Sequence, residues 1–293
     1  MLPREVLEKV RRIEIKTRRM VVDALAGEYH SIFKGRGMEF SEVREYQSGD
    51  DIRTIDWNVT SRTGSLHVKK FIEERELTVL LMLDVSGSSD FGTRARFKRE
   101  VAAEIGALLA FSAIKNNDRV GAIVFTDDVE MYIPPRKGRG HVLRVIRDLL
   151  YFEPKGKRTN VARACEYLNR ITTKRAVVFL LSDFLDSRFD KALRVASKKH
   201  DLISIFISDP REASLPSMGL VELEDAETGE KLLLDTSDRV AMESYREIVS
   251  GRRAKQQELL ASMGVDLIDI STDVPYDRPL LRFFEMRGRR LRH

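Results

Sequence analysis

The sequence predicts an α/β protein built on a doubly wound, mostly parallel sheet. Three observations carry this reading. Leu77–Leu83 and Ala176–Leu181 are continuous apolar runs, as expected of strands buried on both faces. Around them strand-like and helix-like stretches alternate, the pattern of a parallel sheet wrapped on both sides by helices. With 293 residues, 42% apolar and 33% charged, the chain can bury roughly three quarters of its unfolded surface without staples.

The elements follow in order. Residues 2–25 read as a helix, with Val6, Val10, Ile13, Val21 and Leu25 near helical spacing and Gly27 as a stop. Its Arg11, Arg12, Lys16, Arg18 and Arg19 form a basic face. From Tyr29 to Phe71, short apolar stretches alternate with Gly and Asp, which reads as short strands and turns. Glu73, Glu74, Arg75 and Glu76 form a charged shoulder that divides this N-terminal helix-plus-strand segment, 1–75, from the main domain, 76–293. In the main domain the strand at Leu77–Leu83 is followed by a helix at Arg94–Lys115. Strands at Val120–Phe125 and Val129–Ile133 form a hairpin about Asp127-Asp128, which makes an antiparallel edge. Helices at Val142–Leu150 and Asn160–Ile171 lead to the second buried strand. A helix at Phe189–Lys199 and a strand at Leu202–Ile207 come next, then a hairpin inserted at about 218–235 around Thr228-Gly229. A long helix at Arg239–Met263, a strand at Val265–Ile270 and a short helix at Leu280–Glu285 complete the pattern.

Composition excludes several classes. Cys165 is the single cysteine, so neither an internal disulfide nor a thiolate zinc cage can form, and a reducing, cytoplasmic setting is expected. No signal peptide is readable in residues 1–25, and no apolar run approaches the roughly 20 residues of a spanning helix. Most of the net charge of +5 sits in the last 18 residues, where six Arg face only Asp277 and Glu285. The five His match no metal or triad spacing, and Gly156-Lys157 lacks the flanking residues of a P-loop.

Ligands of an open parallel sheet bind at the carboxyl ends of its strands. Just past the first buried strand stand Asp84, Ser86 and Ser88, and just past the second, Ala176–Leu181, stands Asp183. Between them Thr159 opens a helix. These five side chains offer only oxygen, the donor set of a hard cation such as Mg²⁺ or Mn²⁺. Neutral hydroxyls leave a bound dication partly uncompensated, hence able to accept a partner's carboxylate. The plainer alternative is a capped turn, since Asp and Ser do this routinely.

The pattern Asp84-x-Ser86-x-Ser88 with Thr159 and Asp183 resembles the metal-ion-dependent adhesion site of von Willebrand factor A domains. More narrowly, the chain resembles the domain-of-unknown-function fifty-eight family. The stretches that carry this are Gly35–Phe40, Val43–Tyr46, Gly49–Trp57 and Asp225–Glu230. The resemblance implies a von Willebrand factor A-like fold with strand order 3-2-1-4-5-6. It also implies direct metal contacts from Ser86, Ser88 and Thr159, with Asp84 and Asp183 acting mostly through water. Association with an AAA+ ATPase of the MoxR type is implied as well.

The function expected is a non-enzymatic, Mg²⁺-dependent protein-interaction module. A metal-dependent, phosphatase-like hydrolase at the same site is the alternative. It is disfavoured because Ser86 stands where haloacid-dehalogenase-like enzymes carry a second Asp. Nucleic-acid binding through the basic tail is a third reading. Asp50, Asp51, Arg53, Asp56 and Trp57 mix charge with the one tryptophan. They suit an internal ion-pair network fastening the N-terminal segment to the sheet, or else a partner-docking surface.

Overall fold

The computed structural model describes residues 39–72, 76–92, 96–186 and 188–292. The expected N-terminal helix, its basic face, Gly35-Arg36-Gly37 and most of the charged shoulder lie outside these residues. Ten strands are described: β1 (Glu39–Glu45), β2 (His67–Ile72), β3 (Thr78–Asp84), β4 (Arg119–Phe125), β5 (Val129–Arg136), β6 (Val177–Ser182), β7 (Asp201–Ser208), β8 (Leu220–Glu224), β9 (Lys231–Asp235) and β10 (Asp266–Ser271). The helices are α1 (Trp57–Thr63), α2 (Lys98–Lys115), α3 (Arg139–Leu150), α4 (Val161–Ile171), α5 (Asp190–Lys199), α6 (Pro210–Ala213), α7 (Arg239–Ser262) and α8 (Asp277–Arg292).

Six strands form the central sheet in the order β10-β7-β6-β3-β4-β5. All pairs are parallel except β4–β5, which is antiparallel at the edge. Numbered along the chain, this is the 3-2-1-4-5-6 order that the resemblance implied. The oldest rule of strand geometry then divides the core: alternate side chains point to opposite faces. Val79, Leu81 and Leu83 of β3 pack with α2, α3 and α8 on one face. Leu80 and Met82 pack with α4, α5 and Leu260 of α7 on the other. Both sets are fully buried, which is why this strand reads as one unbroken apolar run. Helix α2 is Ala-rich and buried almost all round, from Val101 to Ala113.

The N-terminal region carries a helix where only strands and turns were expected. Asp56 caps α1 by accepting from the Asn58 and Val59 amides at 3.0 and 3.3 Å. Gly64 ends it in the left-handed region at φ 76°. Strands β1 and β2 pair antiparallel beside it, and Ile55 bridges Val68.

The C-terminal helix is far longer than Leu280–Glu285, and the basic tail is part of it. Arg287 reaches Asp201 of β7 at 2.5 Å and Asp266 of β10 at 3.2 Å, and Arg290 also reaches Asp266 at 3.2 Å. These arginines therefore meet carboxylates of the sheet. No helix among the described residues is long and apolar enough to cross a membrane.

Cys165 is buried in the α4 face of the core, and burial pushes its thiol up to about 12. It is a packing residue, inert as a nucleophile. His200, at the end of α5, is buried; its Nδ1 accepts from the Ala176 amide at 3.3 Å, while its Nε2 has no hydrogen-bond partner. Burial, helped by Lys199 and Arg175, lowers its pKa from 6.5 to about 4. The unfolded chain thus binds a proton that the folded chain refuses. Stability present above pH 6.5 is lost as pH falls towards 4, by about 3 kcal/mol in full. His200→Asn, which keeps an acceptor for Ala176, should flatten this part of the profile in urea titrations between pH 7.5 and 4.5. Parallel profiles for the two proteins would contradict it.

Candidate functional site

The site forms where β3 and β6 end side by side at the centre of the sheet. Asp84 closes β3, and the chain leaves it through a tight turn, Gly87–Asp90. The Asp84 Oδ1 accepts from the Ser86 amide at 3.0 Å and from the Ser86 hydroxyl at 2.6 Å. Its Oδ2 accepts from the Ser182 hydroxyl at 2.6 Å. Ser86 and Ser88 bring their hydroxyl oxygens 3.1 Å apart. The Ser89 hydroxyl donates to the Asp84 carbonyl at 3.1 Å, which pins the loop to the strand end. Asp84, Ser86, Ser88, Ser182 and Asp183 are all buried.

Asp183 follows Ser182 and meets a residue that sequence reasoning missed. Lys98, the first residue of α2, places its Nζ 2.7 Å from Asp183 and 2.5 Å from Glu212 of α6. Its side chain is only 3% exposed. A cation at a helix N-terminus opposes the helix dipole, so this placement is held by the two carboxylates. Burial works to lower the Lys98 pKa, but Asp183 and Glu212 outweigh it and leave it raised. Glu212 is fixed in turn by a capping box, donating no proton but accepting from the Asp209 amide at 2.9 Å.

Thr159 lies on the loop before α4, half buried. Glu130 of β5 holds that loop, accepting from the Thr126 hydroxyl at 2.6 Å and the Gly156 amide at 2.9 Å. The loop meets the Asp84–Ser88 turn directly, because the Gly87 amide donates to the Lys157 carbonyl at 2.7 Å. Thr159 itself turns both polar hydrogens to Glu227, at the tip of the β8–β9 hairpin. Its amide lies 3.1 Å and its hydroxyl 2.7 Å from the two oxygens of that carboxylate.

The strand ends gather three carboxyl groups, Asp84, Asp183 and Glu212, against one buried ammonium, Lys98, an excess of negative charge. Burial first, and the Asp183 charge second, push the Asp84 carboxyl up to about 7 against the pull of its serine hydrogen bonds. A cation would relieve that excess. The donor set also fits: adjacent ligands of an octahedral Mg²⁺ lie about 3.0 Å apart, close to the Ser86–Ser88 oxygen separation. Among the described residues no group of three or more His, Cys, Asp or Glu is placed to hold a metal ion.

The structure therefore joins Asp84, Ser86 and Ser88 in one network, sets Asp183 beside it, and links Thr159 through Gly87 and the hairpin. It treats the second predicted cluster differently. Asp50 pairs with Arg44 at 2.6 Å, Asp51 caps the turn Ile52–Thr54, and Asp56 caps α1 and lies 3.6 Å from Lys69. These contacts stay inside residues 44–69 and do not fasten the segment to the sheet. Arg53 is exposed, and Trp57 is 64% exposed.

The strand order, with one antiparallel edge strand on an otherwise parallel sheet, is that of a von Willebrand factor A-like α/β fold. Residues 42–255 match the family described as Protein of unknown function DUF58, and the chain belongs to that family. It is similar to Uncharacterized protein Rv1480 of Mycobacterium tuberculosis, 31% identical over 284 residues, covering 96% of this chain and 89% of that one. Among solved structures, an aerotolerance-related membrane protein from Bacteroides fragilis shares the fold at a TM-score of 0.50, with 16% identity over 73% of this chain and 99% of that one. The SpRpn10 VWA domain matches 70% of this chain and 93% of its own at 13% identity, with a TM-score of 0.37.

Proposed function

We propose that this protein is a non-enzymatic, Mg²⁺-dependent interaction module that binds an acidic side chain of a protein partner. The observation that carries the reading is the pair of serine hydroxyls, 3.1 Å apart, gathered beside the buried Asp84 carboxyl at the end of β3. Ser86, Ser88 and Thr159 would hold the cation, with Asp84 and Asp183 around it. Bound there, it supplies an electrophilic position open to a carboxylate. A hydrolase needs a proton donor next to the electrophile. Ser86 stands where that acid would be, and Asp183 is tied to Lys98. An AAA+ ATPase of the MoxR type is the partner class that the family resemblance suggests.

Calorimetry with Mg²⁺ and Mn²⁺ tests the metal. Wild type should give a saturable heat that Asp84→Ala abolishes, a loss of at least about 100-fold in affinity. Equal heats in both proteins, or none in either, would refute the site. A Mg²⁺-dependent pull-down with the same variant as control tests the partner class.

A further inference from the structure

We infer that Glu227 is a positioning residue for the proposed metal site, and that the β8–β9 hairpin is coupled to metal binding through it. This rests on the reading of Thr159 as a metal ligand. Both oxygens of the Glu227 carboxylate take hydrogens from Thr159, one from the amide at 3.1 Å and one from the hydroxyl at 2.7 Å. A hydroxyl that gives its proton to a carboxylate turns its lone pairs away from that carboxylate and becomes a stronger donor to a cation. This is the outer-shell role that carboxylates play for metal-bound histidines.

The hairpin is shaped to deliver that carboxylate. Asp225 accepts from the Glu227 and Thr228 amides at 2.8 and 2.9 Å, and Gly229 turns the tip at φ 73°. The tip then seats on the Asp84–Ser88 loop at Gly87. A Cβ there would overlap the Ala226 carbonyl, lying 3.0 Å from its carbon and 3.3 Å from the Lys157 oxygen. Gly87 is thus the point where hairpin, Thr159 loop and serine loop meet. Away from the tip the hairpin packs through one face: Val221, Leu223 and Leu234 are half-buried, whereas Leu220, Leu232 and Leu233 are each more than 60% exposed. To that half-buried face the Glu227–Thr159 contact adds a polar anchor at the tip.

Linkage makes the coupling reciprocal. If closing the hairpin prepares Thr159 for a cation, the cation must favour the closed hairpin by the same factor. A partner that lifts the hairpin loosens the metal, and metal loading closes the hairpin over the loop.

The test uses the full chain and Mn²⁺. Glu227→Gln should weaken Mn²⁺ about 10- to 100-fold, and Glu227→Asp should weaken it less. In Thr159→Val, adding Glu227→Gln should cost nothing further, because the carboxylate acts through the hydroxyl. Mn²⁺ should slow amide exchange at 220–235 in wild type and leave it unchanged in Glu227→Gln. Equal Mn²⁺ affinity in wild type and Glu227→Gln, or additive losses in the double variant, would overturn this inference and leave the metal site standing. Absence of Mn²⁺ binding in wild type would overturn the proposed function, and this inference with it.

Discussion

Lys98→Met should destabilise the protein by about 3–5 kcal/mol, the cost of leaving buried charge without its partner. Asp183 is as buried as Lys98 and lies 2.7 Å from it. Glu212, at 2.5 Å, is 30% exposed and can turn to water. The loss should therefore fall mainly on Asp183. Adding Asp183→Asn to Lys98→Met should recover part of it, since a neutral amide removes the stranded charge. Millimolar Mg²⁺ should also recover part of the loss in Lys98→Met alone if the proposed site is right, because a bound cation stabilises the state that binds it. Denaturant titrations of the three proteins, with and without Mg²⁺, give the answer. A loss below about 1 kcal/mol for Lys98→Met would show that the ion pair is not a structural element.

The second large effect is at Phe184, directly after Asp183. Phe184 is fully buried, with its ring 5.6 Å from Phe189 and stacked at 6.3 Å on Phe206. Its backbone sits in the left-handed region at φ 52°, a conformation that costs a non-glycine residue about 1 kcal/mol. The burial of the ring holds it there, together with hydrogen bonds from the Phe184 amide to Ser182 and from the Gln256 side chain to the Phe184 carbonyl. Phe184→Ala should cost about 3–5 kcal/mol for the lost ring and the cavity it leaves. Phe184→Gly should cost no more than that, reversing the usual order of the two residues, because glycine accepts the positive φ. If Gly is the worse variant by the customary ~1 kcal/mol, the backbone is not strained at this position.

Phe184 and Lys98 also mark the limit of what the sequence discloses. The sheet was legible because burial on both faces leaves uninterrupted apolar runs, and a strand end is a fixed address for a polar loop. Asp84, Ser86 and Ser88 were readable for that reason. Ser182 was within reach of the same logic, one residue before Asp183 at the end of β6, and its hydrogen bond to Asp84 joins the two strand ends. Lys98 was not readable. Phe97-Lys98-Arg99-Glu100 looks like any solvated helix start, and only the distant Asp183 and Glu212 make Lys98 a buried cation. Glu227 was visible only as part of the hairpin around Thr228-Gly229, and the sequence could not say that the hairpin folds back 68 positions to Thr159. Helix α1 was missed because the Gly- and Asp-rich texture from Tyr29 to Phe71 was read as strands and turns, and Asp56 as an ion-pair or docking residue, when Asp56 and Gly64 are its caps. The basic end of the chain was read as a free tail, since a salt bridge to Asp201 or Asp266 is a property of the sheet and not of local composition.

The seat of the hairpin on Gly87 has a consequence for synthesis. During synthesis the chain emerges N-terminal end first. Asp84, Ser86 and Ser88 emerge with the strand that becomes the middle of the sheet, and Thr159 follows before β6. Glu227 arrives only after β7, when four parallel strands and the antiparallel edge have already been made. During that interval the serine loop is without its cover, and a glycine at position 87 leaves an open notch there. The hairpin tip is therefore the last part of the site to be synthesised, and the serine loop exists for a time before its cover.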